Sequence, residues 1–210
     1  MSQTHSSRHI IMGMVVVLWI SLTAIGLWWF QDNTVRPFLG PSDNPQQVQT
    51  RYLTDALTPV LEQVATSEPV AMIHFWNPDC LCNQVSRRHF QGLINSQPAN
   101  VMKRIVVTPN STTDAQIHDF KTLNPNMDAQ VVRLSADALS IPASPAVALF
   151  QHTKDQGYRL SYFGAYGFGA LCTLSDDNFF PNMIEKMLAG RYGPFINVAG
   201  SGCFCGWPGQ

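Results

Sequence analysis

Charge is what this 210-residue chain has little of: Asp, Glu, Lys and Arg make up 13% of it, and 14 acidic against 13 basic residues leave a net charge of -1. With no basic stripe along the chain, the electrostatic footprint of a nucleic-acid binder is missing, and no nucleic-acid partner is expected. The glycine-rich stretch Gly164-Ala165-Tyr166-Gly167-Phe168-Gly169 lacks the Lys-Ser/Thr ending of a phosphate-binding loop. Glycines interleaved with aromatics make an irregular loop or bulge instead, and no cofactor is expected. Cysteine is not abundant either, with five in the chain. Four of the five fall into two Cys-x-Cys pairs, Cys80/Cys82 and Cys203/Cys205, and Cys172 is left alone as a small core residue.

Charge is wholly absent from Ile10 to Phe30, a run of 21 residues. As a helix it reaches about 30 Å, enough to cross a bilayer, with Trp28 and Trp29 at the far end where amphipathic rings favour the interface. No small-x-small cleavage site precedes Gln31-Asp32-Asn33, so the run reads as an uncleaved anchor rather than a signal peptide. The tail 1–9 carries Arg8 and is expected to stay in the cytoplasm. The rest then faces the outside of a single-pass inner-membrane protein, in a compartment such as a bacterial periplasm where disulfides persist. Residues 31–46, with Pro37, Gly40-Pro41 and Asn44-Pro45, read as a linker. The folded domain is expected over 47–190, and 191–210 as a Gly/Pro-rich tail carrying the second Cys-x-Cys.

The domain is organised around Val70 to Gln84. Val70, Met72, Ile73, Phe75 and Trp76 suit a buried strand, Asn77-Pro78-Asp79 supplies turn chemistry, and Val85, His89, Leu93 with Phe90 and Ile94 form a helical stripe. The two cysteines therefore fall in the first turn of a helix that starts at or just after Asp79, where unpaired N–H groups and the macrodipole favour thiolate. Gln47 to Thr66 reads as an amphipathic helix with a bend or restart at Pro59. Val101–Val107 reads as a second buried strand, Thr112–Leu123 as a helix, and Gln130–Leu134 as a short strand. Ala146–Gln151 and Tyr158–Phe163 form an antiparallel hairpin, and Phe179–Leu188 is a closing helix with Asp176, Asp177 or Asn178 as N-cap. Alternating strands and helices imply parallel pairing through crossovers.

Phe75-Trp76-Asn77-Pro78-Asp79-Cys80, followed downstream by Ser144-Pro145 and the apolar run Ala146–Phe150, resembles the thioredoxin superfamily, with Gly157 and Gly164 where that family turns its hairpin and ends a strand. The resemblance covers roughly Pro69 to Gly190. It implies an α/β fold, a mixed sheet with helices on both faces, with Cys80 as the attacking thiol and Pro145 as the cis-proline beside it. His74 stands where the family often carries a buried acidic residue or Asn, and it is either a proton acceptor for the resolving thiol or a core histidine.

The departure lies in the pair itself, Cys80-Leu81-Cys82, with Asn83 where the family's second cysteine stands. A disulfide within Cys-x-Cys would be strained and easily reduced, and Asp79 next to Cys80 opposes thiolate formation. Whether Cys80 pairs with Cys82 or with the tail is left open by the spacing. Three functions follow. The first is a membrane-anchored thiol-disulfide oxidoreductase or isomerase that acts on protein substrates through Cys80 and Cys82, with Cys203 and Cys205 as a relay and a membrane redox partner to recycle it. The second is a zinc or Cu(I) site built from Cys80, Cys82, Cys203 and Cys205. The third is a non-catalytic binding module.

Overall fold

A computed structural model of the chain describes residues 3–41, 43–65, 67–135, 138–155, 157–169 and 178–208. Helix α1 (Gln3–Thr34) leads into strand β1 (Val35–Pro37), a 3-10 turn at Pro45–Val48, and helix α2 (Thr50–Gln63). Then follow β2 (Val70–Phe75), α3 (Cys82–Asn95), β3 (Met102–Pro109), α4 (Asp114–Leu123) and β4 (Ala129–Leu134). The hairpin β5 (Ala146–Thr153) and β6 (Gly157–Gly164), helix α5 (Phe179–Leu188), and strands β7 (Phe195–Asn197) and β8 (Ser201–Cys203) complete the order.

Six strands form one sheet in the order β4-β3-β2-β5-β6-β7. β2 runs parallel to β3 and antiparallel to β5, and β5 is antiparallel to β6. A parallel βαβ half joined through the sheet's centre to a hairpin half, with the cysteines at the carboxyl end of β2, is the thioredoxin-like arrangement. β2 is central and buried at every position, which explains why its sequence is a near-continuous apolar run rather than an alternating one. Its side chains divide between two cores. Ala71, Ile73 and Phe75 meet α2 through Leu53, Leu57, Val60 and Leu61, whereas Val70 and Met72, with Trp76 just past the strand, join α3, α4 and α5 through Phe90, Leu93, Phe120, Phe180 and Met183. Helices thus cover both faces.

Helix α1 contains Arg8–Phe30, a segment long and apolar enough to cross a membrane, with none of its apolar window buried. The helix runs past both ends of the segment read from the sequence.

Several local expectations shift. Helix α2 continues through Pro59 without a restart there, and the break falls earlier, at Gln49. Pro59 removes one intrahelical hydrogen bond. Around that gap, Thr54 and Thr58 hydroxyls bond to the carbonyls of Thr50 and Thr54, and Leu57, Val60 and Leu61 bury the inner face. Helix α4 begins at Asp114 because Thr113 and Gln116 close a capping box. For α5 the N-cap is Asn178; Asp176, Asp177 and Cys172 lie outside the described residues.

The larger differences are at the two extensions. The stretch read as linker buries Phe38 completely, edge-on to Phe163 and Phe204, and supplies β1. The stretch read as a tail is built into the fold: β7 extends the main sheet beside β6, and β8 pairs antiparallel with β1, Val35 opposite Cys203. Gly164 makes the first of these junctions possible. At φ +150 it passes so close to Asn197 that a Cβ would lie 2.1 Å from the Asn197 carbonyl oxygen.

Candidate redox site

The site forms where β2 ends. Asn77 closes the turn: its side chain accepts from the Asp79 amide at 3.1 Å, and the Cys80 amide donates to the Asn77 carbonyl at 3.0 Å. Asn83 ties the turn to the helix, its amide donating to the Asn77 carbonyl at 2.6 Å. The first helical residue is Cys82, so Cys80 sits two residues ahead of α3 rather than inside its first turn. The amides of Asn83 and Gln84 bond back to Cys80 and Leu81 carbonyls, so tight turns precede the regular helix.

Neither Cys-x-Cys pair closes on itself. Cys80 is bridged to Cys205 and Cys82 to Cys203, with Cα separations of 5.8 and 5.3 Å, inside the usual range for bridged cysteines. The small, strained ring considered for Cys80 with Cys82 is therefore not the bond that forms. The two bridges lie side by side, and the sulfurs of Cys80, Cys82 and Cys205 are all within 4.8 Å of one another. Cys80, Cys82 and Cys203 are buried; Cys205 is half-buried. Between the first two stands Leu81, 81% exposed.

The Ser144-Pro145 peptide is cis. Ser144 is the residue that sequence reasoning passed over. Its hydroxyl donates to the Phe75 carbonyl and accepts from the Asn77 amide, both at 3.2 Å, joining the proline loop to the turn. Its carbonyl oxygen lies 3.5 Å from the Cys80 sulfur. Its backbone pairs with Cys205 in both directions: the Ser144 amide donates to the Cys205 carbonyl at 2.8 Å, and the Cys205 amide donates to the Ser144 carbonyl at 2.7 Å. The only hint in the sequence was its place before Pro145.

Beside Cys80 opens a groove of about 560 Å³ between α3 and α4, floored by Trp76, Phe90 and Phe120 and rimmed by Leu81 and Leu123. Asp79 is exposed at its edge, where Gln116 donates to it at 3.4 Å. Solvent screening at that position weakens the charge that opposes a Cys80 thiolate.

His74 lines the same groove from β2 but is itself buried. It stacks on Phe90 with ring centroids 4.2 Å apart, and Nδ1 lies 2.9 Å from the Tyr166 hydroxyl. Burial drives its pKa down to about 3 against a weaker opposing hydrogen bond to the Ala146 backbone. Burial likewise raises the Tyr166 hydroxyl well above its ordinary value, so His74 and Tyr166 form a neutral pair. With its ring engaged by Tyr166 and Ala146, His74 has the surroundings of a core histidine.

His74 titrates near 3 when folded and near 6.5 when unfolded, so between those values the unfolded chain holds the extra proton. Its contribution to stability is complete above pH 6.5 and is lost as pH falls towards 3. At pH 4 this group should lower stability by about 3 kcal/mol relative to pH 7.5. Denaturant titrations at the two pH values should show that loss, and His74→Gln should remove most of it. Ring-proton NMR signals of His74 that moved near pH 6 would contradict it.

Residues 49–207 match the family described as "Domain of unknown function (DUF6436)". The chain belongs to this family. No curated protein matches it. Among solved structures, a hypothetical protein from Sinorhizobium meliloti 1021 is similar at 12% identity and a TM-score of 0.50, over 68% of this chain and 82% of that one. A secreted Mycobacterium tuberculosis disulfide oxidoreductase homologous to E. coli DsbE is similar at 12% identity and a TM-score of 0.38, over 60% and 85%. At such identities the likeness concerns fold.

Proposed function

We propose that this protein is a membrane-anchored thiol-disulfide oxidoreductase whose working bond is Cys80–Cys205. The observation that carries the reading is the position of that bond: ahead of a helix amino terminus, against the carbonyl before a cis-proline, and at the edge of an open groove. In the reduced form the Cys80 thiolate attacks one sulfur of a substrate disulfide. The substrate's other sulfur leaves as thiolate and takes a proton. Cys205, as thiolate, then attacks the Cys80 sulfur of the mixed disulfide, restoring Cys80–Cys205 and releasing the second substrate thiol. Two electrons pass from chain to substrate, and the reverse sequence oxidises a substrate dithiol. Cys82–Cys203 holds the segment that carries Cys205, and once reduced its dithiol is a second two-electron donor for the relay, with the Cys82 sulfur within 4.8 Å of those of Cys80 and Cys205.

Helix α1 is the anchor, with its amino end in the cytoplasm and the domain in the periplasm. Because β1 begins at the residue after α1 and lies opposite Cys203, the sulfurs stay near the exit of the anchor, within reach of a membrane redox partner. Full-length protein in detergent should speed equilibration of a peptide disulfide with a glutathione buffer. A chain that took electrons from glutathione without passing them to the peptide would contradict an oxidoreductase.

A second reading has its own support in the spacing of the sulfurs. Opening both bridges would free four thiols, three of which, those of Cys80, Cys82 and Cys205, already have sulfurs within 4.8 Å of one another, near the separation of about 3.8 Å that a tetrahedral zinc site with bonds of about 2.3 Å requires. Reduced protein should then hold one zinc per chain against a chromophoric chelator, and Cys203→Ser should weaken it by about tenfold or more. Failure to retain zinc would remove this reading and leave the first intact.

A further inference from the structure

The C-terminal segment around Cys205 is attached to the site in an unusual way. At Cys205 three bonds converge: the disulfide to Cys80 and the reciprocal backbone pair with Ser144. That pair is an isolated antiparallel bridge, outside the six-stranded sheet and outside the β1–β8 ribbon. None of the three bonds requires Cys205 to belong to the same chain. Any extended polypeptide with a cysteine can make two main-chain hydrogen bonds to Ser144 and one bond to sulfur, as in recognition by strand addition.

The flanking residues supply what such bonds lack, namely selectivity. Phe204, just before Cys205, is buried edge-on against Phe38 and close to Phe168. Trp207, two residues after, is 2% exposed and meets Phe75 edge-on. Gly206 lies between them. Cys203, bonded to Cys82, fixes the segment only two residues upstream, so Cys205 can leave Cys80 while the chain stays tethered.

We propose that Phe204–Trp207 is a tethered substrate: it occupies the place that an extended, cysteine-bearing segment of a client polypeptide takes on Cys80 and Ser144 during exchange. This rests on the oxidoreductase reading and adds a substrate class to it. Clients are unfolded or flexible segments with an aromatic residue beside the reacting cysteine. They displace the chain's own tail, which returns to resolve the mixed disulfide: the Cys205 thiolate attacks the Cys80 sulfur, and the client sulfur departs as thiolate and is protonated.

The test uses full-length Cys205→Ser protein, in which Cys80 is free and Cys82–Cys203 remains. Two nonapeptides are offered as mixed disulfides with glutathione, one with the order of residues 201–209 but serine at the first cysteine, the other with both aromatics changed to alanine. Cys80 thiolate attacks the peptide sulfur and glutathione leaves. The aromatic peptide should form the adduct at least about tenfold more favourably, since burial of each ring is worth more than one such factor. Adding Phe204→Ala to Cys205→Ser should raise adduct formation further, because the protein's own tail then competes less. Equal adduct formation by both peptides, or no gain from Phe204→Ala, would overturn the proposal. If neither peptide reacts with Cys80, the oxidoreductase reading itself falls.

Discussion

Cys80→Ser should lower the rate at which the protein equilibrates peptide disulfides by about a thousandfold, to the background of small-thiol exchange. The size of the effect follows from the geometry. Cys80, though buried, is the cysteine that lines the open groove and lies at the cis-proline loop, whereas Cys82 and Cys203 do not line that groove and are bonded to each other. A serine hydroxyl in place of the thiol neither attacks a disulfide nor forms a mixed one. Cys203→Ser, by contrast, leaves Cys80–Cys205 in place and should retain most of the activity. Reaction progress with a fluorogenic peptide disulfide checks both. If Cys80→Ser kept more than about a tenth of the wild-type rate, exchange would run through another sulfur.

The second large effect is on stability, and it is not additive. Cys80–Cys205 and Cys82–Cys203 span 125 and 121 residues, nearly the same loop. With either bridge present that loop is already closed, and the other closes only a ring of about six residues, worth roughly 2 kcal/mol of unfolded-chain entropy. Removing both releases the long loop as well, for a total of roughly 7 kcal/mol. Cys80→Ser/Cys205→Ser and Cys82→Ser/Cys203→Ser should therefore each lose about 2 kcal/mol, and the quadruple variant far more than their sum. Urea midpoints at pH 7.5 would measure this. A quadruple variant that lost only about 4 kcal/mol, the sum of the two double variants, would contradict this loop-entropy account of the bridges.

Much of this architecture was legible because its signals are local. The apolar run ending in Asn77-Pro78-Asp79, the crossover strand Met102–Pro109 and the hairpin around Gly157 each declare themselves within a few residues, since burial on both faces, or a tight turn, leaves a short-range pattern. Ser144-Pro145 was legible as the place for a cis bond for the same reason. The rest depends on contacts made far along the chain. β1 and β8 have three residues each, too few for a period, and they pair across more than 160 positions. Phe38 is one large apolar residue among prolines and glycines, and it becomes core through residues far along the chain, Phe163 and Phe204 among them. Disulfide connectivity is likewise a long-range fact. Ring strain weighs against Cys82 as the partner of Cys80, but nothing near Cys80 distinguishes Cys205 from Cys203, and that choice is made by β8 and the Ser144–Cys205 bridge.

That bridge changes how the second Cys-x-Cys is understood. A free, glycine-flanked tail would bring its thiols to the site by diffusion. Here, the segment is sewn in by strand pairing at Cys203 and by buried aromatics at Phe204 and Trp207, so Cys205 is positioned in advance. In the proposed exchange, this pre-positioning makes the resolving step an attack between neighbouring sulfurs instead of a search.

The most direct test is to trap the intermediate. Full-length Cys205→Ser protein, mixed with a peptide disulfide and quenched in acid, is digested without reduction, and the peptide's point of attachment is read by mass spectrometry. The peptide should be bonded to Cys80 alone, with Cys82–Cys203 intact. Attachment at Cys82 or Cys203, or no adduct at all, would contradict the assignment of Cys80 as the sulfur that meets substrate.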